Sequence, residues 1–362
     1  MNSGCVVRVG VCAMPKKVHS EPMRKILGEL VSSGVGSFCL VFFESRTLFE
    51  QPVQEWPLCD ALIAFYSEGF PLERVVAYAE LRRPYCLNSL REQQTLLDRA
   101  KVYQVLVRHQ VPVPRHVVVR HQDGWACDSR FLEHDDYIEW DGVRLYKPFV
   151  EKPVDAEDHR VCIYYAKPLY GCRRLFRKTA SLSSVFDPEC RRVRRCGSFI
   201  YEEFIPSEHQ SDIKVYAVGP EYAYAERRKS PVVDGIVERN TVGKEVRFPV
   251  ELTAAERRVA ATITTAFGQF VCGFDLIRHA DGSSFYVNDV NGFSFVKGSE
   301  AYYRSCGRIL ADHLARECLG RSRLGDGPPG VLTRPTGAWV SVVPVVSRGS
   351  RSQVNSHLRM RF

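Results

Sequence analysis

The 362-residue chain has no run of about 18 apolar residues, the length a helix needs to cross a bilayer, so no membrane span is expected. Its 13 cysteines include no C-x-x-C pair, and no signal peptide precedes them. Reduced thiols are expected, in a cytosolic or nuclear protein. The chain has no G-x-x-x-x-G-K-[ST] phosphate loop, no paired protein-kinase signature, no G-x-S-x-G nucleophile elbow and no internal repeat. Acidic residues thin out at the C-terminal end. From Gly320 onward seven arginines face one acid, Asp326, so this stretch carries +6 of the net +8. The body is close to neutral, and a nucleic-acid role stays open for the tail alone. What is present is 45% hydrophobic and 11% aromatic residues. That is enough to bury one large core or two to three smaller ones, and it excludes disorder of the whole chain.

Apolar runs at 6–12, 38–43, 61–65 and 85–87 alternate with helical patterns, the first carrying Met23, Ile26, Leu27 and Leu30 at i, i+3, i+4, i+7. Such alternation predicts a mostly parallel sheet with ligands at the strands' C-terminal ends, where Lys16 and Lys17 follow the first strand. A helical pattern over 90–109 stops at Val111-Pro-Val-Pro114. Asp141-Gly142 then predicts a hairpin leading into a β-rich lobe. Thr253 and Glu256 have capping-box spacing at the head of a helix to about Phe270. A last helix is expected over 302–318, followed by a flexible tail in which 338–346 could form a strand.

Two strand-like runs, 271–277 and 285–291, flank an Asp-Gly step. Symmetric pairing about Gly282 sets Asp275 opposite Asp289, and the period of two adds Asn291 to the same face. Carboxylates about 5 Å apart repel by a few kcal/mol at an effective dielectric near 20, so a cation between them is expected. Three hard oxygen ligands suit Mg²⁺ completed by phosphates and water. The alternatives are solvated acids on an exposed hairpin, or a one-residue slip that separates them.

Single basic residues recur on short segments: Lys152, Arg174, Arg177, Lys178, Lys214, Arg228, Lys229, Arg239 and Arg247. They read as a cage assembled from several elements rather than as a nucleic-acid stripe. The run Arg191, Arg192, Arg194, Arg195 reads as a solvated loop. Residues 201–205 read as a linker with backbone groups free on one side, suited to adenine. His159 beside two acids is either a phosphate donor or a local hydrogen-bonding residue.

Long segments of the chain resemble one family: VGVCAMPKK, KPFVEKPVDAEDH, RLFRK, FIYEEF, KVYAVGPEYAYAERRKSP, GKEVRFP, VCGFDLIR and DVNGFSFVK. They are similar to the kinase domain of diphosphoinositol pentakisphosphate kinases, over about residues 6–318. The resemblance implies an α/β, ATP-grasp fold, two α+β lobes sandwiching ATP, preceded by an N-terminal Rossmann-like domain. The expected units are 1–90, then 91–319 with its β-rich lobe at 137–205 and C-terminal lobe at 206–319, then the 320–362 tail. It implies ATP and Mg²⁺ as cofactors and phosphorylation of inositol hexakisphosphate, or its 5-diphosphate derivative, at the 1-position.

In this likeness Asp275, Asp289 and Asn291 bind Mg²⁺, and Arg99, Lys152, His159 and Lys214 hold nucleotide phosphates. Glu202 and Ile205 offer backbone groups to adenine, and Asp212 lies near the ribose. Lys16, Lys17, Arg177, Lys178, Arg247 and Lys297 grip the inositol phosphates, with Arg228 and Lys229 as outer capture residues. Arg177, Lys178 and Asp289 serve the transfer itself. Two departures stand out: Pro15 replaces a small residue, and 166–173 carries only Gly171 where the family has a glycine- and serine-rich loop. No phosphatase-like domain follows, so intrinsic phosphatase activity is not expected. The rival readings are a carboxylate-amine ligase and a sensor that binds inositol phosphates without turnover.

Overall fold

A computed structural model describes residues 6–120 and 130–323. The N-terminal unit is built on β1 (Val6–Cys12), flanked in parallel by β2 (Ser37–Phe42) and β3 (Ala61–Ala64), with β4 (Tyr85–Cys86) beyond β3. Around it lie α1 (Pro15–Val18), α2 (Glu21–Ser32), α3 (Ser45–Phe49) and α4 (Leu72–Arg82). The predicted stripe on α2 is the buried one: Met23, Ile26, Leu27 and Leu30. Lys16 and Lys17 sit on α1, just past the C-terminal end of β1.

The helical pattern over 90–109 is two helices, α5 (Leu90–Thr95) and α6 (Arg99–Arg108). Asp98 breaks it by accepting from the N–H groups of Ala100 at 2.9 Å and Lys101 at 3.1 Å, an N-cap that starts a new helix. After β5 (His116–Val119) come β6 (Phe131–Glu133), β7 (Tyr137–Trp140) and β8 (Val143–Tyr146), a three-stranded sheet. Its second turn is the predicted Asp141-Gly142, both at positive φ, as a two-residue hairpin requires. The strands β9 (Phe149–Pro153), β10 (Val161–Tyr164), β11 (Cys172–Thr179), β12 (Leu182–Asp187) and β13 (Phe199–Glu203) join β5 in a six-stranded sheet ordered β12-β11-β10-β9-β13-β5.

Two expectations fail in part in this lobe. Of residues 201–205, read as a linker with free backbone, 201–203 belong to β13, which is paired with β9 on one side and β5 on the other; 204 and 205 lie beyond the strand. The arginine run is a solvated loop only at Arg191 and Arg192, which are exposed; Arg194 and Arg195 turn inward. Arg194 Nε donates at 2.6 Å to Glu151, which is fully buried and also accepts from Tyr201 and Tyr164. Arg195 pairs with the buried Glu133 side chain at 2.7 Å. A buried carboxylate needs a paired cation, and the loop supplies it.

The C-terminal lobe is an antiparallel sheet ordered β16-β15-β14-β17-β18, from β14 (Ser211–Val218), β15 (Tyr222–Lys229), β16 (Phe248–Pro249), β17 (Val271–Arg278) and β18 (Phe285–Asn291). Ile213, Val215, Ala217, Cys272, Phe274 and Leu276 form its buried face together with α7 (Ala254–Ala266). The capping box at Thr253 and Glu256 is present. The helix stops before the expected Phe270 because Gly268 adopts a left-handed φ of 55°. The last helix, α8 (Glu300–Arg323), runs past Gly320, where the tail was expected to begin; the rest of that tail, including 338–346, lies outside the described residues. Tyr302, Cys306, Leu310 and Leu314 of α8 complete one core with β1 and α2. Gly307 makes this packing close: a Cβ there would lie 2.4 Å from that of Glu29. Among the described residues no helix is long and apolar enough to cross a membrane.

Candidate active site

Period-two alternation leaves the other face of the C-terminal sheet to polar residues. Across it run Glu226, Lys214, Asp275 and Asp289, each opposite the next on β15, β14, β17 and β18. Asp275 does face Asp289, but the hairpin is not symmetric about Gly282 throughout. Near the turn Leu276 pairs with Val287, and Asn288 is an extra residue in a β-bulge. Carried on unbroken, the register at the turn would set Asn288 opposite Asp275 and turn Asp289 to the apolar face. The bulge restores the carboxylate pair. Its carbonyl accepts from Lys152 Nζ at 2.8 Å and from Tyr103 Oη at 3.3 Å.

The pair is bracketed by cations. Lys214 Nζ lies 3.1 Å from Asp275 Oδ1 and donates to Asn291 Oδ1, whose amide donates to Asp289 Oδ2 at 2.7 Å. Arg228 approaches Asp275 at 3.9 Å, as Arg99 does Asp289. Burial pushes the Asp275 carboxyl up, but Lys214 and Arg228 outweigh it and hold it below the usual carboxylate range. Burial pushes the Asp212 carboxyl up, only partly offset by Arg228. Burial, then Arg177 and Arg99, push the His159 imidazole down, so at neutral pH it is a neutral hydrogen-bonding group.

Two adjoining cavities open on this row. One of about 550 Å³, between the β-rich and C-terminal sheets, brings together Arg99, Lys152, His159, Arg177, Lys178, Asp212, Lys214, Arg228, Lys229, Asp275, Asp289 and Asn291. The second, about 610 Å³, faces the N-terminal unit and adds Lys16 and Lys17 while sharing His159, Arg177, Asp289 and Asn291. The β11 register breaks between Leu175 and Thr179, which takes Arg177 and Lys178 out of the ladder.

Six candidates line neither cavity: Arg174, Glu202, Ile205, Arg239, Arg247 and Lys297. Arg174 is paired with Asp187 at 2.5 Å, and Arg239 donates to the carbonyls of Gly243 and Ala180. Glu202 is interior to the ladder, and its carboxylate holds Lys152 at 2.6 Å and accepts from Tyr103. Ile205 is buried beyond the end of β13, and Lys297 is exposed. Arg247 reaches the site indirectly, through Glu245, which also takes Lys178. Arg228, expected at an outer position, stands at the inner wall opposite Asp212. Arg99 is spent on carbonyls of residues 153, 155, 156 and 158, fixing the loop that presents His159. Sequence reasoning missed Asn288, Tyr103 and Glu245, whose partners Lys152, Glu202 and Lys178 lie far away in the chain, and Glu238, which pairs with nearby Lys229 at 3.5 Å.

Lobes stacked over a cationic cleft, with a carboxylate pair on the last hairpin, define an ATP-grasp protein. Residues 174–310 match the RimK-like ATP-grasp domain and 7–98 the diphosphoinositol pentakisphosphate kinase 2 N-terminal domain. In fold the chain is similar to the ATP-grasp ligase PsnB bound to a minimal precursor (TM-score 0.51, 15% identity, 85% of this chain and 98% of that one). In sequence it is 51% identical over 305 residues to an Arabidopsis thaliana inositol hexakisphosphate and diphosphoinositol-pentakisphosphate kinase. It is 49% identical over 310 residues to inositol hexakisphosphate and diphosphoinositol-pentakisphosphate kinase 2 of Homo sapiens. These alignments take in 84% and 85% of this chain but only 29% and 24% of the relatives. The chain belongs to the diphosphoinositol pentakisphosphate kinase family.

Proposed function

We propose that this chain is an ATP-dependent inositol polyphosphate kinase that adds a phosphoryl group to the 1-phosphate of inositol hexakisphosphate or of its 5-diphosphate derivative. The observation that carries this is the Asp275–Asp289 pair at the junction of two cation-lined cavities, one for a nucleotide and one for a polyanionic acceptor.

The donor set fits Mg²⁺. Two carboxylates and an amide oxygen are hard ligands, and buried Asp275 Oδ1 accepts no hydrogen bond of good geometry despite Lys214 nearby. Among the described residues no group of three His, Cys, Asp or Glu could hold a metal, so the protein supplies a partial shell. Held by Asp275, Asp289 and Asn291, Mg²⁺ would supply charge neutralisation to the nucleotide phosphates.

Lys152 and Lys214 hold the nucleotide phosphates from opposite lobes, and His159 donates a hydrogen bond to them. Lys16, Lys17, Arg177 and Lys178 offset the acceptor's charge and align it with the γ-phosphorus. The acceptor is a phosphate monoester with a second pKa near 6, so its oxygen is anionic at neutral pH and needs no general base. That oxygen forms the new P–O bond as the bond from the γ-phosphorus to the β-bridging oxygen breaks, and ADP leaves. The side chains therefore act by placing charge and aligning reactants.

Incubation of the purified chain with radiolabelled ATP and each acceptor, with the product resolved by chromatography and NMR, tests this. Asp289→Ala is expected to lower turnover by at least about 100-fold with a near-native unfolding transition, since this side chain is 31% exposed. Near-normal activity in that variant would sink the metal assignment. ATP consumption with a carboxylate and an amine instead of an inositol phosphate would make the chain a ligase.

A further inference from the structure

Both arms of the Arg177 guanidinium are taken by carboxylates. One terminal nitrogen donates to Glu68 Oε2 at 3.2 Å and the other to Glu157 Oε2 at 3.1 Å. Glu157 belongs to the loop that carries His159. Glu68 comes from a different part of the molecule, the segment between β3 and α4 of the N-terminal unit. Both acids and Arg177 line the 610 Å³ cavity, so the Glu68–Arg177 pair joins the N-terminal unit to β11 at its border.

The pair is open to solvent, with the Glu68 side chain 80% exposed and that of Arg177 56%. Two carboxylates on one guanidinium leave that corner of the cavity net negative. A phosphate group engages a guanidinium through the same paired N–H donors as a carboxylate does. An arriving phosphate and Glu68 therefore compete for the same atoms. No such competitor sits on Lys16 or Lys17, for which no ion pair is formed among the described residues.

We propose that Glu68 is a specificity-determining residue of the acceptor cavity: its carboxylate holds Arg177 where a substrate phosphate would, and sets how much negative charge an acceptor must carry to displace it. This rests on the kinase reading given above. Displacement also releases the irregular segment of β11 from the N-terminal unit, so acceptor entry and loss of this contact are one event.

The test is steady-state kinetics of the full chain with inositol hexakisphosphate at low ionic strength and saturating ATP, comparing Glu68→Gln, Glu68→Asp and Glu80→Gln. Glu80 pairs with Arg91 elsewhere on the surface and serves as the control. Removing an exposed competitor is worth a factor of about three. Glu68→Gln is expected to lower the acceptor KM by that factor, with the effect on KM rather than kcat, and to lose its advantage at high salt. Glu80→Gln is expected to behave like the unsubstituted chain, and Glu68→Asp, which keeps the charge on a shorter side chain, to fall between it and Glu68→Gln. An unchanged or raised acceptor KM in Glu68→Gln overturns the proposal. Absence of turnover by the unsubstituted chain defeats the kinase reading instead. Calorimetric titration with inositol hexakisphosphate then decides Glu68 separately: tighter binding by Glu68→Gln supports its role, and equal or weaker binding rejects it.

Discussion

At the scale of single residues, the arginines near position 194 show how far a side chain's role departs from its local composition. Arg191 is exposed, lies over the Tyr170 ring, and reaches only a carbonyl at 3.4 Å. Arg194, three residues on, carries the charge balance of a buried carboxylate. Replacing Arg194 by Ala strands Glu151 without its cation, and a loss of about 3–5 kcal/mol is expected in denaturant unfolding. Arg191→Ala is expected to stay within about 0.5 kcal/mol. The active-site cations differ in the same way. Burial pushes the Lys178 ammonium down while Glu245 pulls it back up, so this lysine is held ready by a partner that no motif announces.

At the scale of elements, the hairpin of β17 and β18 and the start of α7 each join a local signal to a tertiary one. The Glu256 carboxylate closes the capping box by accepting from Thr253 N–H at 2.7 Å, and it pairs with Arg278 of β17 at 2.7 and 2.9 Å. Burial pushes this carboxyl up, but Arg278 and Thr253 outweigh it and leave it below its ordinary value of 4.5. A depressed carboxyl stabilises the fold above its ordinary value and loses that contribution as pH falls through the folded one. Glu256→Gln is therefore expected to be less stable than the unsubstituted chain at pH 7, by about 1–3 kcal/mol. The gap should narrow as pH falls below 4.5, measured by urea unfolding across that range. A gap constant with pH would mean that Glu256 acts through shape alone. In the hairpin the local signal, alternation about an Asp-Gly turn, was legible. The bulge at Asn288 was not, because Lys152 and Tyr103 hold its carbonyl from other lobes.

At the scale of the whole molecule, the two ATP-grasp sheets are tied together over the cavity of about 550 Å³ between them. Residues 231–237 of the C-terminal lobe bond to β12 of the β-rich lobe and to the turn before it: Ser183 N–H to Gly235 O at 2.8 Å, and Val237 N–H to Ser181 O at 2.8 Å. Gly235 has φ of 78°, and a Cβ there would lie 2.1 Å from the backbone oxygen of Ser184. A side chain at this position forces the strap off the strand. Gly235→Ala is expected to raise the KM for ATP several-fold and to destabilise the protein by about 1–3 kcal/mol. An unchanged KM together with a lowered melting temperature would show that the strap supports the fold without shaping a site for ATP.

The sequence by itself determined what depends on neighbours in the chain. It determined the parallel N-terminal sheet from alternating apolar runs, the Asp141-Gly142 turn, the capping box, and the hairpin that carries Asp275, Asp289 and Asn291, though not the bulge that sets Asp289 opposite Asp275. These follow from side-chain period and turn chemistry, which act over a few residues. Only the tertiary structure decided where distant charges find each other. Glu151 takes Arg194 from 43 residues away, Lys178 takes Glu245 from 67, and Arg177 takes Glu68 from 109. Tertiary packing also made α8 part of the N-terminal core and put β13 inside a sheet. A pattern with a short period cannot encode such pairings, because burial and solvent exclusion, which make them strong or costly, exist only once the lobes have closed on each other.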